Sequence, residues 1–181
     1  MTKANDTFTH SIQDAENLLK HFDQLNKLPP PPENEVLKRA GLIMAMTAWE
    51  TYVEDRLLEA AEERLKCVAD TSIAAFIQSK LNEEIKRLHN PTSEKCLQLF
   101  RDFAGVDLTS KWTWNNVDAK AARLRLDEYI KLRGDVVHRS RPVPSGSPQA
   151  HAVTKEDLGR AIRFLKSLVQ ATENALSSGV N

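Results

Sequence analysis

The sequence predicts an all-α fold, a single-domain bundle of about six helices. Apolar residues recur at steps of three and four through most of the 181 residues, no segment alternates as a strand would, and there is no internal repeat. The composition, 41% hydrophobic and 28% charged with 6 glycines, is ordinary for a globular chain. We therefore expect one hydrophobic core in one domain that spans residues 1–181.

The first helix is predicted from an apolar stripe that begins at Phe8 and ends at Leu28. Four prolines, residues 29–32, end this helix and form a stiff spacer, although a proline run can also dock on an aromatic-lined groove. A second stripe, from Val36 to Val68, contains no proline and predicts a long helix. This second helix is expected to be the spine of the fold.

The remaining helices are predicted from capping residues and helix breakers. Residues 70–72 can cap a third helix, and Pro91 suits the first position of a short fourth helix that Gly105 ends. Asn116 is expected to cap the fifth helix, and Thr154 to open the capping box of the last. Residues 141–153, rich in proline and serine, are predicted to form a flexible loop. The second and fifth helices should lie at the centre of the bundle.

Two pairs of side chains permit more than one interpretation. Trp112 and Trp114 could stack on nucleic-acid bases, but tryptophans that hold a loop on the core are the commoner case. Cys67 and Cys96 have no paired cysteine or histidine nearby and are interpreted as buried thiols rather than zinc ligands. No metal and no cofactor is expected.

The charge balance limits the classes of partner. Lysine plus arginine equals aspartate plus glutamate at 25 each, so any RNA binding must come from a local patch. No segment approaches the roughly 20 apolar residues that a membrane helix needs. The sequence therefore predicts a soluble, cytoplasmic protein without a membrane partner.

A local excess of positive charge lies at the predicted end of the fifth helix. Residues 120–141 contain seven cations and three anions, which could hold a phosphate backbone or form a solvated helix face. Lys131, Arg139 and Arg141 are the candidate RNA contacts in this segment.

Within that segment, Arg133 and His138 are residue types that can cleave RNA without a metal. An imidazole can move the proton of a ribose 2′-hydroxyl, and a guanidinium can hold phosphate oxygens in a bidentate fork. Five residues apart on an unbroken helix, however, they point roughly 140° away from each other. Either the helix ends between them at Gly134, or the same residues of a second subunit complete the site.

The spacing R-x-x-x-x-H from Arg133 to His138, late in a helical domain, resembles the signature of HEPN domains. The Trp49-Glu50 pair in the early long helix is similar to the branch named RiboL-PSP-HEPN. The resemblance covers a core of about residues 36–176. It implies an α-helical, usually dimeric domain that is often a metal-independent endoribonuclease in toxin–antitoxin, antiviral or RNA-processing systems, with Arg133 and His138 as its catalytic pair. A cognate antitoxin or regulatory protein would then be a further partner.

Two functions remain open from the sequence. The first is an RNA-cleaving enzyme, and the alternative is a catalytically inactive HEPN module that binds RNA or a protein. Gly134 keeps this choice open, because many members of the family have Asn, Asp or His directly after the arginine, whereas here Asp135 follows one position late.

Acidic residues could support the catalytic pair. Glu50 and Glu54 share one face of the second helix and could orient Arg133 or His138 from across the bundle, or they could be surface acids paired with basic side chains. Asp135 is a further supporting candidate. The other histidines, at positions 10, 21, 89 and 151, are assigned structural or solvated roles.

Overall fold

The computed structural model describes residues 2–25, 32–69, 71–138 and 153–178, except for the side chains of Pro32 and His138. These ranges contain six α-helices: α1 (Lys3–Leu25), α2 (Glu35–Leu65), α3 (Ser72–Lys86), α4 (Ser93–Ala104), α5 (Ala119–His138) and α6 (Lys155–Ser178). They contain no strand, and the predicted all-α bundle is confirmed. The predicted proline spacer and flexible loop lie outside the described residues, apart from their last residues, Pro32 and Val153.

As predicted, α2 is the spine of the bundle. It contacts each of the other five helices, and Trp49, Tyr52 and Leu57 on it are fully buried. Gly41 allows α6 to pack closely on α2, because a Cβ atom at this position would lie 2.6 Å from Cδ2 of Leu158. Gly41, within the second stripe, is therefore a position at which α2 packs closely on another helix.

The position predicted for α5 is wrong. Among its described side chains, only Ala122, Leu126 and Val136 are buried, so α5 lies at the side of the bundle while α1 and α6 cover α2. The prediction for Cys67 is also wrong: its thiol is exposed in the short 3-10 turn Lys66–Val68 that follows α2, none of whose residues is buried, whereas Cys96 is buried as expected.

Two predicted helix starts are wrong. Helix α4 begins two residues after Pro91, because the side chain of Thr92 accepts the capping hydrogen bond at 3.2 Å. Helix α5 begins after Asp118, whose carboxylate accepts a hydrogen bond from the backbone N–H of Ala121 at 2.7 Å. Asn116 instead adopts a left-handed backbone conformation, with φ of 66°.

Three other predicted boundaries are confirmed. The side chain of Thr71 caps α3, and Gly105 ends α4 with φ of 68°. Thr154 and Asp157 form a reciprocal capping box, with side-chain to backbone distances of 3.0 and 3.1 Å.

The tryptophans hold the loop between α4 and α5 on the core, as the structural interpretation predicts. Trp112 is fully buried, and its indole N–H donates to Oγ1 of Thr172 on α6 at 2.9 Å. Trp114 is half-buried, with its ring centroid 5.7 Å from that of Phe164. Neither ring is presented to solvent as a stacking platform.

A buried polar network joins α2 and α6. The carboxylate of Glu173 accepts hydrogen bonds from the Tyr52 hydroxyl at 2.7 Å, the Arg56 Nε–H at 3.0 Å and the Thr2 hydroxyl at 3.1 Å. The Arg56 side chain is 7% exposed, and its charge is compensated by Glu173, with a more distant carboxylate, that of Glu59, 3.9 Å from Nη1. Burial raises the pKa of Tyr52 well above its ordinary value, and the adjacent Glu173 raises it further. No described helix is long and apolar enough to cross a membrane.

Replacing Glu173 with alanine should lower the free energy of unfolding by about 3 kcal/mol, because the Arg56 charge would stay buried without this partner. The control is Glu16→Ala, which removes an exposed contact with Lys166 of 2.7 Å and should cost less than about 1 kcal/mol. Urea unfolding followed by circular dichroism measures both. Equal losses in the two variants would contradict a structural role for the buried network.

Candidate functional site

The Arg133 to His138 stretch lies on one unbroken helix. Helix α5 continues through Gly134 to His138, so a helix end between the two residues is excluded. A Cβ atom at Gly134 would meet no atom within 4 Å, so packing within the described part of the chain does not require a glycine. His138 is the last residue of α5, and its side chain lies outside the described part.

The Arg133 side chain is held by two other parts of the chain. Its Nη1 donates a hydrogen bond to Oδ1 of Asn90, in the turn between α3 and α4 (residues 87–92). Its Nη2 lies 3.8 Å from Oε2 of Glu50 on α2, and the side chain is 23% exposed. Its Nε is buried and has no hydrogen-bond partner among the described residues. The guanidinium is therefore fixed at the rim of the bundle rather than free in solvent.

One carboxylate joins the parts of this site. Oε1 of Glu50 accepts a hydrogen bond from the backbone N–H of Asn90 at 3.3 Å and lies 3.8 Å from Nδ1 of His89. Oε2 faces Arg133, and the Glu50 side chain is only 17% exposed. A carboxylate in this setting orients a cation more strongly than a solvated surface acid would.

The local sequence explains why these groups meet. Trp49 is fully buried, and its indole N–H donates to the carbonyl oxygen of Pro91 at 3.2 Å. That hydrogen bond holds the α3–α4 turn against α2, beside Glu50. Within the turn, Asn90 has φ of 52°, a left-handed conformation that asparagine tolerates better than most residues.

Glu54 and Asp135 are the other supporting residues that the sequence predicts. Glu54 is half-buried one turn from Glu50, and no described hydrogen bond or ion pair joins it to Arg133. Its pKa is raised by burial first, and then by the neighbouring charges of Glu50 and Asp55, while His89 lowers it. Asp135 is half-buried on α5.

The candidate RNA contacts are described only in part. Lys131 is exposed on α5, whereas Arg139 and Arg141 lie outside the described residues. The described residues contain no group of three or more His, Cys, Asp or Glu side chains that could hold a metal ion.

Sequence reasoning missed two residues that the structure places here. The sequence predicts a structural or solvated role for His89, and its imidazole is 77% exposed, but it faces the Glu50 carboxylate. Asn90 is not among the site residues that the sequence predicts. An Asn-Pro pair predicts a turn, but not that its amide will meet an arginine 43 positions later.

The fold and this site define an all-α domain with an R-x-x-x-x-H stretch on its fifth helix and a Trp-Glu pair on its long second helix. The chain matches the RiboL-PSP-HEPN family over residues 10–178, and it belongs to that family. The match includes most of α1, which lies before the core of about residues 36–176 expected from the sequence. No curated protein and no solved structure matches the chain.

Glu50→Gln should lower the pKa of Glu54 toward its ordinary value, because it removes a neighbouring negative charge that disfavours ionisation. The pKa should stay above the ordinary value because Glu54 remains partly buried. Asp55→Asn removes a smaller cause and should lower it less. NMR titration of the side-chain carboxyl carbon measures these values, and an unchanged Glu54 pKa in the Glu50 variant would show that the two charges do not interact.

Proposed function

We propose that this chain is a metal-independent endoribonuclease of the HEPN type, with Arg133 and His138 as its catalytic pair and a role in defence, a toxin system or RNA processing. The observation that carries the proposal is the position of the Arg133 guanidinium. Arg133 lies on the same helix as His138, and Glu50 and Asn90 hold its guanidinium at the rim of the bundle. Family membership supports the same reading.

An imidazole and a guanidinium can together cleave RNA without a metal in the following steps. The His138 imidazole takes the proton of a ribose 2′-hydroxyl, since an imidazole with a pKa of about 6.5 exchanges protons at neutral pH. The 2′-oxygen then bonds to phosphorus while the bond to the 5′-oxygen breaks, leaving a 2′,3′-cyclic phosphate, and the departing oxygen takes a proton from solvent or a second imidazole. Arg133 stabilises the charge on the phosphate oxygens.

A homodimer explains how the two side chains can act together. Because α5 is unbroken, positions 133 and 138 lie roughly 140° apart around it, from which we infer that one copy of the pair would not converge on one phosphate. Gly134 and Val137 form an open stripe on α5, in which the Val137 side chain is 46% exposed and Gly134 leaves space for another chain. A two-fold axis beside this stripe would bring the Arg133 of one protomer near the His138 of the other.

The RNA strand would be held next to this stripe. Lys131 is exposed on α5, and Arg139 and Arg141 follow the end of the helix in sequence. A cognate antitoxin or regulatory protein is a proposed further partner, because an RNA-cleaving enzyme of this kind needs to be kept inactive in the cell.

One observation favours the second candidate, an inactive RNA-binding or interaction module. The Arg133 charge already faces the Glu50 carboxylate, which reduces the positive potential available to a phosphate. Incubation with total RNA in the presence of EDTA separates the two functions. The enzyme yields fragments that end in 2′,3′-cyclic phosphate, and the module leaves the RNA intact.

His138→Ala should reduce RNA cleavage by about 10²- to 10⁴-fold, because proton transfer by the imidazole is lost. Arg133→Lys should also lose most activity, because an ammonium group keeps the charge but not the planar fork. The double variant should be little worse than His138→Ala, since both groups act on the same transition state. Cleavage of a labelled RNA under single-turnover conditions measures each rate.

His21→Ala is the matched control, because His21 is exposed on α1, away from the site. It should cleave at the wild-type rate. A folded, dimeric His138→Ala protein that also cleaves at that rate would refute the assignment of the catalytic pair.

Val137→Glu should convert the proposed dimer to monomers and reduce cleavage, because it places a charge in the open stripe of α5. Leu124→Glu is the control: Leu124 is 56% exposed on the same helix but lies about 140° around it from Val137. Light scattering at tens of micromolar measures the masses. A wild-type protein that is monomeric at that concentration would contradict the dimer.

A further inference from the structure

We propose that Asn90 is a positioning residue of this site, which clamps the Arg133 guanidinium through its side-chain oxygen and its left-handed backbone. The significance of the clamp for catalysis rests on the proposed ribonuclease function, whereas the clamp itself can be tested on the free protein. Asn90 would not touch the RNA. It would determine which edge of Arg133 the phosphate meets.

Three contacts close a ring between α2, the α3–α4 turn and α5. The Asn90 backbone N–H donates to Oε1 of Glu50, the Asn90 Oδ1 accepts from Nη1 of Arg133, and Nη2 of Arg133 faces Oε2 of Glu50. Asn90 thus contacts both other members, one with its backbone and one with its side chain. Among the described contacts of the guanidinium, removing Asn90 would leave the 3.8 Å approach to Glu50.

The clamp uses only some of the N–H donors of the guanidinium. An arginine side chain has five N–H donors, and in Arg133 the Nε–H is buried without a described partner while one Nη1 hydrogen is taken by Asn90. The edge that contains Nε therefore cannot reach a phosphate. The Nη hydrogens that face neither Asn90 nor Glu50 can, so an RNA phosphate would bind through these hydrogens.

The backbone conformation explains why asparagine fits this position. Asn90 precedes Pro91, which disfavours the right-handed helical region, and it takes a φ of 52° that strains most side chains. Glycine would adopt this backbone at least as readily, but it has no side-chain acceptor for Arg133. The left-handed backbone alone would be satisfied by glycine, so the contact with Arg133 requires the asparagine side chain as well.

The neutral charge of the amide is also favourable. Aspartate could keep an acceptor at this position, but it would place a second carboxylate beside Glu50 against a single guanidinium. That would reduce the positive potential that attracts a phosphate. An amide oxygen holds Arg133 in place without neutralising it.

The test separates the side chain of Asn90 from its backbone. Asn90→Gly keeps the left-handed backbone and the N–H that faces Glu50 but removes Oδ1, and Asn90→Asp keeps an acceptor and adds a charge. Asn116→Gly is the control, because Asn116 is an exposed asparagine in the same left-handed region, with φ of 66°. All three variants should fold, as measured by thermal unfolding.

The first measurement is the NMR signal of the Arg133 Nε–H in the free protein. In the wild type and in Asn116→Gly, this buried proton should exchange slowly with solvent. In Asn90→Gly, its signal should shift and its exchange should become faster. An unchanged signal in Asn90→Gly would overturn the clamp, whether or not the protein cleaves RNA.

The second measurement is steady-state RNA cleavage. Asn90→Gly should lower kcat by about 10- to 100-fold with little change in KM, because a misplaced guanidinium loses contacts made in the transition state. Asn90→Asp should keep the slow Nε–H exchange and still lose activity. A shifted Nε–H signal with wild-type kcat in Asn90→Gly would overturn the positioning role. An inactive wild type would refute the proposed function instead, and the NMR result would then decide the clamp alone.

Discussion

The attachment of the α3–α4 turn to α2 is the interaction on which the site depends. Neighbouring residues of α2 hold neighbouring residues of the turn: Trp49 donates to the Pro91 carbonyl at 3.2 Å, and Glu50 accepts from the Asn90 N–H at 3.3 Å. The indole of Trp49 also packs edge-on against Trp112, with ring centroids 6.1 Å apart. One side chain therefore links the spine, the turn and the loop before α5, so the geometry at the rim is set by the core.

Successive residues of a helix point about 100° apart, which is why Trp49 can lie in the core while Glu50 reaches the rim. At 17% exposure the Glu50 charge is less screened than a surface charge. The pKa of Glu54 is raised first by the burial of Glu54 itself and then by this neighbouring charge. The distance of 3.8 Å between Oε2 of Glu50 and Nη2 of Arg133 is longer than a hydrogen bond. Glu50 therefore orients the guanidinium while leaving Nη hydrogens for another anion.

Local rules predicted much of this fold, because helix periodicity and caps such as Gly105 depend on nearby residues. They failed where several polar residues compete for one cap, as at Asn116, and where exposure depends on which distant elements pack against a segment, as at Cys67. In the site, Arg133 could be named from its spacing to His138. The role of Asn90 could not, because its contact with Arg133 exists only after α2, the turn and α5 have packed together.

The unbroken α5 separates two requirements of the proposed chemistry. The position of Arg133 is set within one chain, by Glu50 and Asn90, and does not need a second copy. The meeting of Arg133 with an imidazole is different, because position 138 lies roughly 140° further around the helix and the proposed two-fold partner would supply the imidazole. Dissociation of the proposed dimer would thus remove proton transfer while leaving the guanidinium clamp intact. Under this proposal a monomer would still hold a phosphate at Arg133 but would not cleave RNA, so the proposed assembly would be one control of activity.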